Sequence, residues 1–261
     1  MSEIWLAIQT NFVEYIMVLA RVSGIFTFNP IFSRNGVPNY IKAGCSMLLA
    51  LVMTAAGGFE YVMPDGLLPL AFDIAKELFV GAVFGVFVNI MLQVFGVAGE
   101  VGEMQLGLSM AKSYDPTFGN AGLLTQYYSY WFMMYFFAVG GHLSYIKLFA
   151  VSFETIPIGF TSFNINVAYI LVMYFETVLT LGLKLAMPIV AASLITEFCL
   201  GVLMKAVPSI HVFVLNIQLK TLVGLIVLAA SCGMTSEFVE NIMGIMFSNL
   251  NGIVEQFTLS A

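Results

Sequence analysis

The chain has 261 residues, of which 60% are hydrophobic and 9% charged, with a formal net charge of −6 and a mean hydropathy of +0.97. A water-soluble domain carries about a quarter charged residues, so this composition excludes one. The acidic balance excludes nucleic acid as a partner, because no basic patch exists to neutralise phosphates.

Residues 78–99 and 116–146 carry no Asp, Glu, Lys or Arg. Each run exceeds the roughly 20 apolar residues that cross hydrocarbon, and none shows the ten-residue alternation of a membrane barrel. The sequence therefore predicts an all-α membrane protein of long, broken helical hairpins. Glu3 stands where a signal peptide would be basic and the first cation is Arg21, so the first apolar block is expected to remain in the mature chain.

A first helix is predicted from about residue 4 to 28, ended by Asn29-Pro30. A second runs from 39 to 56 and stops at Gly57-Gly58. After a loop marked by Pro64, Asp65, Gly66 and Pro69, a third occupies about 70–98. The next segment, 99–116, reads GEVGEMQLGLSMAKSYDP and is expected to break the helix. Broken backbone among membrane helices survives only inside protein or beside water, so a lining or a gate is expected there. A fourth helix covers about 123–139, interrupted by Gly140-Gly141-His142, and apolar sequence resumes to Ile156-Pro157.

From residue 166 the texture changes. Two arms, about 166–204 and 210–257, flank a turn at Lys205 to Pro208, with Pro188 as the one serious breaker. At 1.5 Å per residue each arm is roughly 60–70 Å long, about twice the hydrocarbon thickness. The arms are therefore expected to stand partly outside lipid. In the last one Ile242, Met246, Leu250, Ile253 and Phe257 share a face suited to a partner helix, opposite Glu240, Ser248, Asn251 and Glu255. Two parts are expected, residues 1–165 and 166–261.

Charges inside the apolar blocks come next. Glu14 and Arg21 lie on one face of the first helix but two turns apart, and Glu176 and Lys184 interrupt the first long arm. A charge at bilayer depth costs about 2.5–3.5 kcal/mol even on insertion scales, so each needs a partner. Their scatter fits buried interhelical or intersubunit pairing better than a proton relay, which clusters carboxylates. Glu100 and Glu103 lie one turn apart with no His or Cys near in sequence, so acid–base catalysis is not expected.

Gly81 with Gly85, and Gly96, Gly99 and Gly102, read as close-packing positions between helices. Met104, Leu106, Leu108 and Met110 set flexible apolar side chains around Gly107, with Phe118 following. Such a cluster can act as a removable apolar seal or as ordinary packing, and the residues alone leave the two open. Cys45, Cys199 and Cys232 are isolated and read as buried thiols, and His142 and His211 have no ligand-spaced partner. No hydrolase elbow, zinc motif or phosphate loop occurs, so neither an enzyme nor a cofactor or metal site is expected.

The run Gly99-Glu100-Val101-Gly102 through Gln105 and Gly107 to Asp115-Pro116 resembles the central signature of the FliR family of flagellar type III export-gate proteins. So do Arg21, Pro30, Val37-Pro38, Gly141-His142-Leu143, Ile156 to Gly159 and Leu203 to Pro208. Departures occur at Gly140, Lys205, Ser209 and Gln218.

The resemblance implies a FliP-like N-terminal part and a FliQ-like C-terminal hairpin. It also implies a single copy in a gate with FliP, FliQ and FlhB homologues at the bacterial inner membrane, in the flagellar basal body, passing unfolded export substrates. It maps an internal plug onto about residues 106–120. The resemblance leaves open a virulence (injectisome) system, and a stand-alone secondary transporter is the rival class.

Overall fold

The computed structural model describes residues 2–32, 37–57, 61, 64, 66–109, 122–159, 166–206 and 212–258, with side chains described except at 2–11, 166–168, 212–214 and 255–258. Every regular element among them is a helix. The helices are α1 (Ser2–Phe28), α2 (Asn39–Ala56), α3 (Leu67–Leu106), α4 (Leu123–Ala138), α5 (Gly141–Thr155), α6 (Asn166–Ala206), α7 (Val212–Ala230) and α8 (Cys232–Thr258).

Three helices are long and apolar enough to cross a membrane, and the pairs α4–α5 and α7–α8 bring the total to five if each bent pair is one span. The chain folds as two compact units, each discontinuous in sequence. One comprises residues 1–90, 142–173 and 246–261, the other residues 91–141 and 174–245.

Most helix boundaries follow local chemistry. Asn29 ends α1 by accepting the Ile31 N–H on its side-chain oxygen (2.9 Å), an Asx turn that leads into Pro30. The α4–α5 pair bends by 71° where Gly140 adopts φ +76°. Pro188 lies inside α6 without ending it, so the first long arm is one helix as read.

Three expectations fail. The third helix does not stop at residue 98 but runs eight residues further, to Leu106. Gly99 and Gly102 are helical, and they serve close approach: a Cβ on Gly99 would overlap Thr125, and one on Gly102 would sit 2.8 Å from Leu124.

The second long arm is two helices bent by 64° at Ser231. There the Ser231 hydroxyl and the Cys232 thiol both donate to the Leu228 carbonyl (3.2 and 3.4 Å), and the Thr235 hydroxyl donates to the Ser231 carbonyl (2.9 Å). Side chains that compete for helix carbonyls bend the helix.

The thiols are not buried either. Cys45 and Cys199 are exposed and Cys232 is half-buried.

Candidate functional site

In the first unit the determining contact is between α1 and α3. A Cβ on Gly81 would overlap the carbonyl oxygen of Arg21, one on Gly24 would lie 2.6 Å from the Leu78 carbonyl oxygen, and one on Gly85 would meet Phe28 at 2.8 Å. Backbone therefore touches backbone along three turns, an approach available only to glycine.

The crossing carries Arg21 against Glu77, and both side chains are fully buried. Arg21 Nε donates to Glu77 Oε2 at 2.6 Å, and its terminal nitrogens donate to the carbonyls of Ser152 (3.3 Å) and Ile156 (3.1 Å). The guanidinium also lies 4.3 Å from the centre of the Phe153 ring. Ser152 lies in the last turn of α5, where its carbonyl also accepts the Ile156 N–H (2.9 Å), and Ile156 follows the helix end; the helix dipole is negative there, so a cation is favoured.

The other Glu77 oxygen accepts the Gly159 N–H at 3.0 Å. One ion pair thus fixes α1, α3 and the exit of α5. Its partners are all accounted for within the protein, which is the condition for a charge to persist at depth.

Gly159, at φ +77°, packs against Tyr61, whose hydroxyl donates to Asp73 at 2.9 Å. Asp73 in turn pairs with Lys76 at 2.8 Å. Burial, helped by the bond to Asp73, pushes the Tyr61 phenol above its ordinary value.

In the second unit the end of α3 is fixed from three sides. The N–H of Leu108 donates to the Glu103 carbonyl (3.0 Å), and that of Gly107 to the Met104 carbonyl (3.3 Å), with Gly107 at φ +74°. This pair of bonds is a Schellman stop, which requires a left-handed residue at the position Gly107 occupies.

The Glu103 side chain, 1% exposed, reaches across to the next helix. Its Oε1 accepts the N–H groups of Leu124 (2.7 Å) and Thr125 (3.3 Å), so a carboxylate of α3 caps the N-terminus of α4. Gly122 leaves room for it, since a Cβ there would overlap the carboxylate. Leu106, 1% exposed, fills a notch at Gly224 of α7, where a Cβ would lie 2.5 Å from its Cδ2. The connection that starts at Gly107 therefore leaves and rejoins the fold at neighbouring points.

The remaining sequence-derived residues are dispersed. Met104 is exposed and Leu108 half-buried. Glu14 is half-buried, and Glu100, Glu176, Lys184 and Lys205 are exposed. Lys184 borders a small cavity formed with Tyr128, Pro188, Ser231 and Thr235. Met110, Asp115, Pro116, Phe118 and Pro208 lie outside the described residues.

Sequence reading missed Glu77 altogether. Its signal was the spacing Glu77-Gly81-Gly85 on one face of α3, facing Arg21 and Gly24 on α1. It also missed the Lys220–Glu197 pair that joins α6 to α7. Among the described residues, no group of three or more His, Cys, Asp or Glu is placed to hold a metal.

The model of the family "Bacterial export proteins, family 1" matches residues 12–246. The chain is similar to the flagellar biosynthetic protein FliR of Escherichia coli (strain K12), at 26% identity over 246 residues that cover 94% of each chain. It is similar to that of Bacillus subtilis (strain 168), at 24% over 249 residues, 93% of this chain and 95% of the other. The same holds for Aquifex aeolicus (strain VF5), at 24% over 237 residues, 90% and 91% of the two chains.

Proposed function

This chain belongs to the bacterial export proteins, family 1, and from that premise we propose that it is a structural subunit of the flagellar type III export gate in the bacterial inner membrane. In this reading residues 1–165 form a FliP-like part and residues 166–261 a FliQ-like hairpin. One copy assembles with FliP, FliQ and FlhB homologues to line and seal the entry pore for unfolded export substrates. The chain supplies structure and a seal, without catalysis and without a cofactor, and the driving energy comes from elsewhere.

The single observation that carries the proposal is the family match over 12–246, together with full-length similarity to proteins named for flagellar biosynthesis. The seal is assigned to Met104, Leu106, Gly107 and Leu108 with Met110, Asp115, Pro116 and Phe118. What supports it is the build of the α3 terminus: a glycine stop, an apolar anchor at Leu106 and a carboxylate that ties both ends of the connection.

Two measurements test the proposal. Co-expression and gentle solubilisation should recover the chain with two different small helical proteins, whereas recovery as a homo-oligomer alone refutes it in favour of a transporter. Replacing residues 109–120 by a short Gly-Ser linker, which spares Leu106 and Glu103, should make the assembled gate leak small ions. Unchanged conductance removes the seal role from Met110, Asp115, Pro116 and Phe118 and leaves the gate role standing.

A further inference from the structure

Within the second unit, the last residues of α3 are held from two further helices. Leu106 fills the notch at Gly224 of α7, and a Cβ on Gly107 would meet Ile217 of the same helix at 4.0 Å. Gln105, just before them, is reached from α6. The Ser193 hydroxyl shares its proton between Gln105 Oε1 (3.0 Å) and the Val190 carbonyl (2.8 Å).

One turn from each of these contacts stands a charge. Glu197 follows Ser193 by four residues on α6, and Lys220 precedes Gly224 by four on α7, so each shares a helix face with its neighbouring contact. Lys220 also follows Ile217 by three, which places it between the two positions of α7 that meet α3. Lys220 Nζ donates to Glu197 Oε1, closing α6 onto α7 beside the α3 terminus.

The pair is lopsided. The Lys220 side chain is 10% exposed and that of Glu197 47%. Lys220 is also the sole Lys or Arg in residues 206–261. An ion pair with one half in water adds little stability, and an apolar side chain at 220 would avoid the cost of desolvating an ammonium. Stability is therefore a poor account of this lysine. Register is a better one. Successive helical residues turn by about 100°, so a one-residue rotation of α7 against α6 would swing Gly224 from under Leu106 and bring a bulkier side chain into its place. A nearly buried cation with one carboxylate partner opposes that rotation, as single polar residues do in paired helices.

We propose that Lys220, through Glu197, is a positioning residue for the end of α3. The pair sets the register of α7 against α6, keeps the Gly224 notch under Leu106, and thereby holds the seal shut. The last clause rests on the seal proposed above. The first two do not.

Hydrogen exchange in the protein purified from membranes tests the register. It reads the Gly107 and Leu108 amides, which close the α3 stop, with the Gly159 amide of the other unit as control. Lys220→Met and Glu197→Gln should each speed exchange at Gly107 and Leu108 about tenfold or more and leave Gly159 unchanged. The reversed pair Lys220→Glu/Glu197→Lys should exchange more slowly than Lys220→Glu alone, a rescue that lost packing does not produce. Parent rates in both neutral variants, a rise shared equally by Gly159, or a reversed pair no slower than Lys220→Glu would each overturn the proposal.

Conductance tests the last clause. The assembled gate carrying Lys220→Met should leak small ions, as the linker replacement of residues 109–120 does. A leak with the linker but none with Lys220→Met overturns the link to the seal and leaves the seal itself. No leak with either removes that link together with the seal, while the register is decided by exchange alone.

Discussion

Removing one member of the Arg21–Glu77 pair is the most diagnostic perturbation of this fold. In Glu77→Ala the guanidinium stays fully buried, keeps the Ser152 and Ile156 carbonyls, and loses its counter-charge, while the Gly159 N–H loses its acceptor. Leaving one charge of a buried pair uncompensated costs about 3–5 kcal/mol. For a chain of this size that corresponds to a fall in Tm of roughly 6–20 °C. Glu77→Gln keeps one acceptor oxygen for two donors that now meet separate oxygens, Arg21 Nε and the Gly159 N–H, and it supplies no counter-charge, so it should cost at least the roughly 1.5–3 kcal/mol of a hydrogen bond to a charged group. The double variant Arg21→Met/Glu77→Met removes both charges and fills the space with apolar atoms, so it should be less damaging than Glu77→Ala alone. The assay is thermal unfolding of the detergent-solubilised protein, with all variants at one concentration. Single-variant losses within about 0.5 kcal/mol of the parent, the range of ordinary surface substitutions, would refute the reasoning. So would a double variant whose loss equals the sum of the singles.

Other expectations follow from the same geometry. Gly81→Ala should destabilise by more than the 1–3 kcal/mol of ordinary overpacking, because the added carbon meets the backbone of Arg21, which cannot swing away. By contrast Gly244→Ala, in open space, should gain about 1 kcal/mol of helix propensity. A thermal-shift comparison that ranks these two the other way round contradicts the α1–α3 crossing. Glu103→Leu should lose the cap on α4, about 0.5–2 kcal/mol, while Glu103→Gln keeps an acceptor and stays near the parent. Hydrogen exchange of the Leu124 and Thr125 amides reads the difference directly. The raised phenol of Tyr61 contributes stability that is fully present below its unfolded value of 10.0 and is lost as pH rises beyond it. Alkaline unfolding should therefore begin later and rise less steeply in Tyr61→Phe, and identical alkaline limbs would contradict the raised phenol.

Much of the helical layout could be read from residue order, because its signals are local. Asn29-Pro30, Gly57 and the Gly140-Gly141 pair end or bend helices through their own backbone preferences, and the structure places breaks at each. The misread boundary at Gly99 shows where this reasoning stops. A glycine that breaks a helix and one that admits a neighbouring chain look identical in sequence, and only Thr125 and Leu124, more than twenty residues later, decide between them. The true stop, Gly107, differs from Gly99 in having the left-handed conformation and the paired bonds to Glu103 and Met104. Arg21 was recognisable as a residue in need of a partner, yet Glu77 was not, since its depth depends on the α1–α3 contact that the glycines create. For Glu103 the sequence signal pointed to an acid beside Glu100. Its role as the cap of another helix arises from tertiary placement alone. The bend at Ser231 came from a cluster of hydroxyl and thiol side chains whose combined preference no single residue announces.

The Arg21 contacts also impose an order on biosynthesis. The ribosome delivers this cation 56 residues before Glu77, and 131 and 135 residues before the Ser152 and Ile156 carbonyls that complete its shell. At elongation rates of about 5–20 residues per second, the nascent arginine is without its counterion for roughly 3–11 s. Throughout that interval the charged head needs water or another polar group as its partner. The shell of contacts around Arg21 is therefore complete only after α3 and α5 have been made.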